Sequence, residues 1–331
     1  MTVRVGVVGA GGVGARHART LAALDDVRLV AVCDPDAAAA TALAAELGVA
    51  SLDDVGRLLT RGLDAVWLCV PPFAHGELER AVVRAGLPFF VEKPLAADLT
   101  VAEDVAHAVR AAGLPTATGY HWRHLDTVGR ARSALEGRVV RLVGARWWGT
   151  TPPPVWWSRQ DRSGGQVVEQ ATHVLDLVRV LAGEVVEVSG AAARSTVDGR
   201  DVPDATAAVL RFDSGAVGTV STSCVLPALT VAGLDVVGDG VSVELTETAL
   251  RVRVHDCDGD GDGDGDGDGD VRTVPAVDAR TAVDRAFVDV LSGRAAPAGL
   301  VDVAEALRTH RLAWSVAEAT RTGTTVRVGA R

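Results

Sequence analysis

The amino-acid sequence predicts a two-domain fold: a parallel α/β domain over residues 1–122, then an α+β domain over 123–331 built on an antiparallel sheet. Three observations lead to it. Strand-like apolar runs alternate with helical patterns through the first third of the chain. A glycine-rich turn joins the first of these runs to the first helix. From residue 139 onward, strand-like runs succeed one another across hairpin-type turns such as DSG and VGDG, the pattern of an antiparallel sheet. A length of 331 residues suits two domains of about 150 residues each.

Residues 3–9 (VRVGVVG) are a short β-branched run of the kind that fills a buried strand, and a helical pattern follows to Leu24. Residues 27–33 repeat the strand pattern. Residues 35–47 are an alanine-rich helix stopped by Gly48, and 52–59 a shorter helix. Strand 64–70, helix 75–85, strand 88–91, helix 101–112 and strand 115–119 continue the alternation. In the second domain, 139–148 reads as a strand. A loop over 149–163 carries three consecutive prolines, and Gly164 and Gly165 open one long helix to Leu181. Strands are expected at 185–191, 205–212, 216–224, 234–237, 241–245 and 250–255. Helices at 278–291 and 301–320 close the chain, the last of them free to pack back on the first domain.

Composition narrows the function classes. Hydrophobic residues at 48% and charged residues at 23% are those of a globular protein. No apolar run reaches the ~18 to 20 residues that a membrane span needs. The net charge is -10, but the run DCDGDGDGDGDGDGD over 256–270 holds eight aspartates, and the remainder of the chain carries only -2. That balance is not the footprint of a nucleic-acid binder. The Asp-Gly run has no apolar face and repels itself, so a disordered surface loop is expected. It lacks the closing glutamate of a calcium loop, and no metal is assigned to the chain. Cys33, Cys69, Cys224 and Cys257 are scattered without a CxxC, which suggests a reducing compartment. The apolar strand begins at Val3 and leaves no room for a signal peptide, so a cytoplasmic protein is expected.

The strongest local motif is Gly9-Ala10-Gly11-Gly12-Val13-Gly14, a G-x-G-x-x-G at a strand-to-helix turn. Gly9 permits the tight turn, Gly11 lets a pyrophosphate approach the backbone, and Gly14 lets the helix pack close. The helix N-terminus offers free N–H groups to phosphate. Asp34 lies twenty residues beyond Gly14, at the end of the second strand, where a carboxylate binds the adenine-ribose hydroxyls and repels a 2′-phosphate. NAD is therefore expected over NADP. Val70, Pro71, Pro72 and His75 follow the 64–70 strand, and Glu92 and Lys93 follow the next one. Ligands of such sheets bind at the carboxyl ends of strands. Lys93 is the only lysine among 33 basic side chains, and an ammonium is a compact donor with a tunable pKa.

In the second domain, Glu169 and His173 lie four apart on the long helix and Asp176 follows, making a polar stripe on an apolar surface. A histidine beside a carboxylate suits proton transfer, and it equally suits a buried helix whose polar groups satisfy the backbone. Tyr120, His121 and Arg123 follow the last strand of the first domain. Trp147, Trp148, Trp156 and Trp157 crowd into eleven positions, where indole faces suit a sugar ring or a packed core.

Taken in order, GAGGVG, VPPFAH, VEKP, GYHWR and GGQVVEQATH resemble the Gfo/Idh/MocA oxidoreductases, such as glucose–fructose oxidoreductase and inositol dehydrogenase, across nearly the whole chain. The resemblance implies a Rossmann domain followed by an α+β domain with a large, open, mainly antiparallel sheet. It implies NAD as cofactor and a polyol, sugar or sugar derivative as substrate. It assigns Lys93, Glu169 and His173 to catalysis, with His173 as the base and Lys93 on the substrate oxygen. Tyr120, His121, Arg123, Trp156, Trp157 and His173 are then the substrate-binding candidates. Glu169 departs from the family's usual aspartate by one methylene, enough to move the carboxylate. The family's open sheet packs against another subunit, so a homodimer or homotetramer is expected, without nucleic-acid or membrane partners. Two other functions share the scaffold: an NAD-assisted glycosidase and a non-catalytic NAD-binding sensor.

Overall fold

The computed structural model describes residues 2–194, 199–255 and 270–329. Residues 256–269, the body of the Asp-Gly run, lie outside the described residues, as does Cys257. The chain divides into two compact units. One is Met1–His121 with Ala279–Arg308; the other is Trp122–Asp278 with Thr309–Arg331.

The first unit opens with β1 (Val3–Val8), α1 (Gly12–Ala22), β2 (Val27–Cys33), α2 (Ala37–Leu47), β3 (Ala50–Leu52) and α3 (Val55–Leu59). It continues through β4 (Ala65–Leu68), α4 (Glu77–Arg84), β5 (Phe89–Val91), α5 (Leu99–Ala112) and β6 (Thr116–Thr118). Its six strands are parallel, in the order β3-β2-β1-β4-β5-β6. The order reverses beside β1, which places a crevice at the carboxyl ends of β1 and β4. The alternation read from the sequence is present. The expected helix at 52–59 starts only at Val55, and Leu52 instead ends a three-residue strand, Ala50–Leu52, that was not expected. Local chemistry explains the helix ends: Asp36 caps α2 by accepting from Ala38 and Ala39 N–H, and Gly48 ends it at φ +67°.

The second unit contains α6 (Asp126–Leu135), β7 (Val140–Trp148), α7 (Gln160–Ser163), α8 (Gly165–Glu169), α9 (Thr172–Ala182), β8 (Val185–Ala193), β9 (Ala205–Phe212) and β10 (Val217–Ser223). Then come β11 (Val231–Gly238), β12 (Val241–Thr246), β13 (Leu250–Val254) and β14 (Val271–Thr273). The chain closes with α10 (Ala279–Leu291), α11 (Val303–Thr322) and β15 (Val326–Arg327). Nine strands form one sheet in the order β14-β13-β12-β11-β7-β10-β9-β8-β15. Every ladder is antiparallel except β7 with β10. Alternation along β9 (exposed Ala207, Val209 and Arg211; buried Thr206, Ala208 and Leu210) gives the sheet one covered and one open face. α9 packs on the covered face against β7 and β11, burying Val174, Leu175, Val178 and Leu181.

One expectation fails here. The single helix expected over 164–181 is two helices, α8 and α9, broken at Gln170 and Ala171. The amides of both Gln170 and Ala171 reach the Gln166 carbonyl, which widens the turn and interrupts the ladder. Gln166 is itself anchored by its side-chain amide on the Ser223 carbonyl of β10 at 2.8 Å and on Gln170 Oε1 at 3.0 Å. Glu169 therefore ends one helix and His173 begins the next, and the shared-face argument from their spacing does not hold. α10, by contrast, is part of the first unit: its Val283, Phe287 and Val288 join Val5, Val7, Leu21, Trp67 and Phe90 in one core. No helix among the described residues is long and apolar enough to cross a membrane.

Candidate active site

The glycine turn does three separate jobs. A Cβ at Gly14 would fall 1.9 Å from the Gly9 carbonyl oxygen, and one at Gly9, whose φ is +101°, 2.1 Å from that of Cys69. Only glycine fits at either place. A Cβ at Gly11 or Gly12 would meet nothing within 4 Å. Gly11 is the N-cap of α1, without a side chain to satisfy the first amides, and the first turn holds no acid. Val13 is 44% exposed beside them. The positive end of an eleven-residue helix thus faces open space. Next to it Asp34 is fixed at the end of β2: Oδ2 accepts from Ala10 N–H at 2.7 Å and Oδ1 from Asp36 N–H at 2.8 Å. These residues fit a dinucleotide: open amides for a pyrophosphate and an anchored carboxylate for ribose hydroxyls.

The loop after β4 holds Val70, Pro71 and Pro72, with the Pro72 carbonyl accepting from Ala97 N–H. His75 is turned inward. Its Nδ1 lies 2.6 Å from Glu79 Oε1, and both side chains are buried. Glu92 is also buried and faces the interior of the unit. Its Oε1 lies 2.8 Å from His17 Nε2, and its Oε2 accepts from the Lys93 main-chain N–H at 3.0 Å. His17 Nδ1 in turn meets Asp284 of α10 at 2.7 and 2.9 Å. Burial alone would push the Glu92 carboxyl up, but its bond to His17 and the charges of His17, Lys93 and Arg16 hold it at about 2. Burial likewise opposes the imidazolium of His17, and Asp284 and Glu92 overcome it, lifting His17 from 6.5 to about 9.

In the second unit, His173 stands in the first turn of α9 among parallel indoles. Its ring centroid is 5.7 Å from that of Trp122 at 12° and 6.1 Å from that of Trp147 at 21°. Trp122 and Trp147 are themselves 5.9 Å apart at 24°. One turn on, Asp176 receives both arms of the Arg123 guanidinium at 2.6 Å and the Thr309 hydroxyl at 2.7 Å. Glu169 Oε2 accepts from Trp157 Nε1 at 2.7 Å. Trp157 is buried with Val202 and Cys224, and Trp156 packs against that cluster. The aromatics of 147–157 are thus divided: Trp147 against His173, Trp157 as the anchor of Glu169, and Trp148 exposed with its Nε1 on Ser221 at 3.0 Å.

Comparison with known proteins bears on what these two sets of residues serve. A sequence model of the oxidoreductase family with an NAD-binding Rossmann fold matches residues 3–120, and one of the GFO/IDH/MocA C-terminal domain matches 132–244. A myo-inositol dehydrogenase from Streptomyces leeuwenhoekii is 37% identical over 227 residues, which are 66% of this chain and 68% of that protein. The chain belongs to the GFO/IDH/MocA oxidoreductase family. A second GFO/IDH/MocA relative, the inositol 2-dehydrogenase of Rhizobium meliloti, is 32% identical over 233 residues, 67% of this chain and 69% of that protein. Among solved structures, the WlbA dehydrogenase from Bordetella pertussis, in complex with NADH and UDP-GlcNAcA, matches with a TM-score of 0.85 and 22% identity over 100% of both chains.

Of the GFO/IDH/MocA motifs, the structure brings Gly9, Gly11, Gly12, Gly14 and Asp34 together, and joins Glu92 to Lys93 through the main chain. It ties Arg123 to Asp176 and Glu169 to Trp157. Sequence reasoning missed His17, Asp284 and Trp122. His17 and Asp284 did leave a signal: each is a lone polar residue on the apolar face of a predicted helix, beside Ala18 and Leu21 in one case and Val283 and Phe287 in the other.

Proposed function

We propose that this chain is an NAD-dependent dehydrogenase that moves a hydride between a hydroxyl-bearing carbon of a cyclitol, sugar or sugar derivative and nicotinamide. Membership of the GFO/IDH/MocA oxidoreductases and the two inositol-dehydrogenase relatives support the reaction. The observation that carries the reading is the open glycine turn beside the anchored Asp34 carboxylate. Bound there, the dinucleotide supplies the ring that takes up or returns the hydride. This chain's own residues do the rest. His173 takes the hydroxyl proton as the carbon–hydrogen bond breaks. Lys93 hydrogen-bonds the substrate oxygen and stabilises its developing negative charge. Glu169, whose Oε2 accepts from the Trp157 indole, is the carboxylate that supports the proton-transfer group electrostatically. Tyr120, His121 and Trp156 shape the substrate pocket, and Arg123 acts there through its clamp on Asp176.

NAD is preferred over NADP because a carboxylate at Asp34 accepts ribose hydroxyls and repels a 2′-phosphate. Asp34→Ala is expected to lower the ratio of kcat/KM for NAD over NADP by about ten- to a hundredfold, the worth of one charge-assisted hydrogen bond. Steady-state kinetics with both cofactors check it; an unchanged ratio removes Asp34 from the discrimination.

The experiment that tests the whole reading is reduced-nicotinamide absorbance with a panel of inositols, aldoses and sugar derivatives. NADH formation supports the dehydrogenase. Glycoside cleavage without net NADH formation would replace it with an internal-redox glycosidase, and NADH binding without turnover of any kind would favour a sensor.

A homodimer or homotetramer fits the open face of the nine-stranded sheet. Leu142, Val217 and Val237 sit in register across β7, β10 and β11 and are each 40% exposed or more. Covering that face removes apolar surface from water. A solution mass equal to the 34.2 kDa chain would count against the assembly. The three described cysteines, buried and free, support residence in a reducing cytoplasm, which cell fractionation checks.

A further inference from the structure

The buried cluster around His17 takes no part in the chemistry just described, yet it ends at Lys93. The two short contacts of the His17 ring are both to carboxylates, 2.7 Å to Asp284 and 2.8 Å to Glu92, while the Arg16 guanidinium stands off from Nε2 at 3.5 Å. Asp284 Oδ1 already accepts from the Trp67 indole at 2.8 Å, and Glu92 Oε2 from the Lys93 amide at 3.0 Å. An ionised carboxylate has no proton to give, so both ring nitrogens donate and the imidazole holds both protons. Glu92 is confined from another side as well. Its carboxylate lies against the bare Cα of Gly119, where a Cβ would fall 2.6 Å from Cδ and from both oxygens. Three contacts thus leave Glu92 one position: the imidazolium, the Lys93 amide and the glycine surface.

Charge neutralisation alone does not account for this arrangement. Buried ion clusters are often replaced by apolar residues of similar volume without loss of stability. An apolar replacement cannot provide a fixed acceptor for the Lys93 N–H. We infer that His17 is a positioning residue for Lys93: through Glu92 it holds the main chain from which the protein's only ammonium side chain projects. The inference rests on the reading of Lys93 as the donor to the substrate oxygen. A displacement of about 1 Å at such a donor costs about a hundredfold in rate.

The single lysine makes the test direct. Reductive methylation with ¹³C-formaldehyde places one side-chain reporter in the protein, on Lys93, besides the N-terminal amine. Heteronuclear NMR spectra are compared for the wild type, His17→Gln and Asp284→Asn, with Lys93→Arg identifying the signal. The Lys93 resonance is expected to shift or broaden in both variants while the N-terminal signal stays in place. In unlabelled enzyme, with the inositol or aldose that reduces NAD fastest in the wild type, kcat is expected to fall about ten- to a hundredfold while the KM for NAD holds. A Lys93 resonance of wild-type position and width in both variants overturns the inference. So does a fall in thermal stability with kcat unchanged, which leaves the cluster a purely structural role. If His17→Gln does not fold, Asp284→Asn, nearly isosteric, carries the test alone. A Lys93→Met variant that turns over like the wild type defeats the reading of Lys93 as donor, and the NMR comparison still decides whether His17 controls its position.

Discussion

Replacing His173 by alanine is expected to lower turnover by roughly 10²- to 10⁴-fold, the usual worth of a positioned proton-transfer group, while NADH binding is retained. The separation of effects follows from where the residues sit. The glycine turn and Asp34 belong to one compact unit and His173 to the other, so the cradle is built without it. His173 lies against Trp122 and Trp147 with ring planes nearly parallel to both. Indole faces favour a cation, so the imidazolium formed on proton uptake is held in place as it forms. Loss of the ring leaves a gap beside two large aromatics. His173→Gln, closer in volume, therefore serves as the companion variant, and a low turnover in both with an intact thermal midpoint points to chemistry. An unaffected kcat in either variant at saturating substrate would remove His173 from proton transfer. Lys93→Met run beside them reports the oxygen-binding contribution, about 10²- to 10³-fold for one donor.

The second large effect concerns stability. The protein is expected to lose stability as the pH rises from 6.5 to about 9, through His17. The folded state raises the pKa of this histidine above its unfolded value, so it binds the proton more tightly than the unfolded chain does. Its stabilisation is fully present below pH 6.5 and is lost as the pH climbs through about 9. The displacement corresponds to about 3 kcal/mol, a large share of the roughly 5 to 15 kcal/mol that holds a domain folded. Glu92 works in the opposite sense. Its folded pKa is depressed from 4.5 to about 2, so its contribution is present above pH 4.5 and lost as the pH falls through about 2. The cluster is most stabilising between pH 4.5 and 6.5. Denaturant midpoints at pH 6.5 and 9 are expected to differ in the wild type and to converge in Asp284→Asn. His17→Leu strands two carboxylates without their cation and is expected to cost about 3 to 5 kcal/mol at pH 6.5. Equal wild-type midpoints at the two pH values would mean that His17 is not held as an imidazolium.

Much of this architecture could be read from residues near one another in the chain. The glycine turn was legible because two of its demands are local: Gly9 takes a φ of +101°, and a Cβ at Gly14 would meet the Gly9 carbonyl. The parallel sheet was legible because its strands are buried on both faces and three of its helices, α2, α3 and α5, carry aspartate caps. The break at Gln170 and Ala171 was not, since neither glycine nor proline marks it. It is imposed by Gln166 on β10 and by Trp157 on Glu169, contacts 57 and 12 residues apart. β3, β14 and β15 are three residues or fewer, too short to show a period. The His17–Asp284 pair spans 267 positions, and only the packed fold tells that two polar residues on two apolar helix faces meet.

That span has a consequence for how the molecule is made. When the ribosome has released the first 121 residues, the six-stranded sheet has all its strands but not its lid. Phe287 and Val288 have yet to be added to the core, and His17 and the Trp67 indole still await the carboxylate of Asp284. The nucleotide-binding unit is therefore finished only after eight of the nine strands of the second sheet, β7 to β14, have been translated, and the order of synthesis is not the order of completion. Its amino-terminal segment, made alone, carries an apolar face that Phe287 and Val288 would cover and a His17 without Asp284.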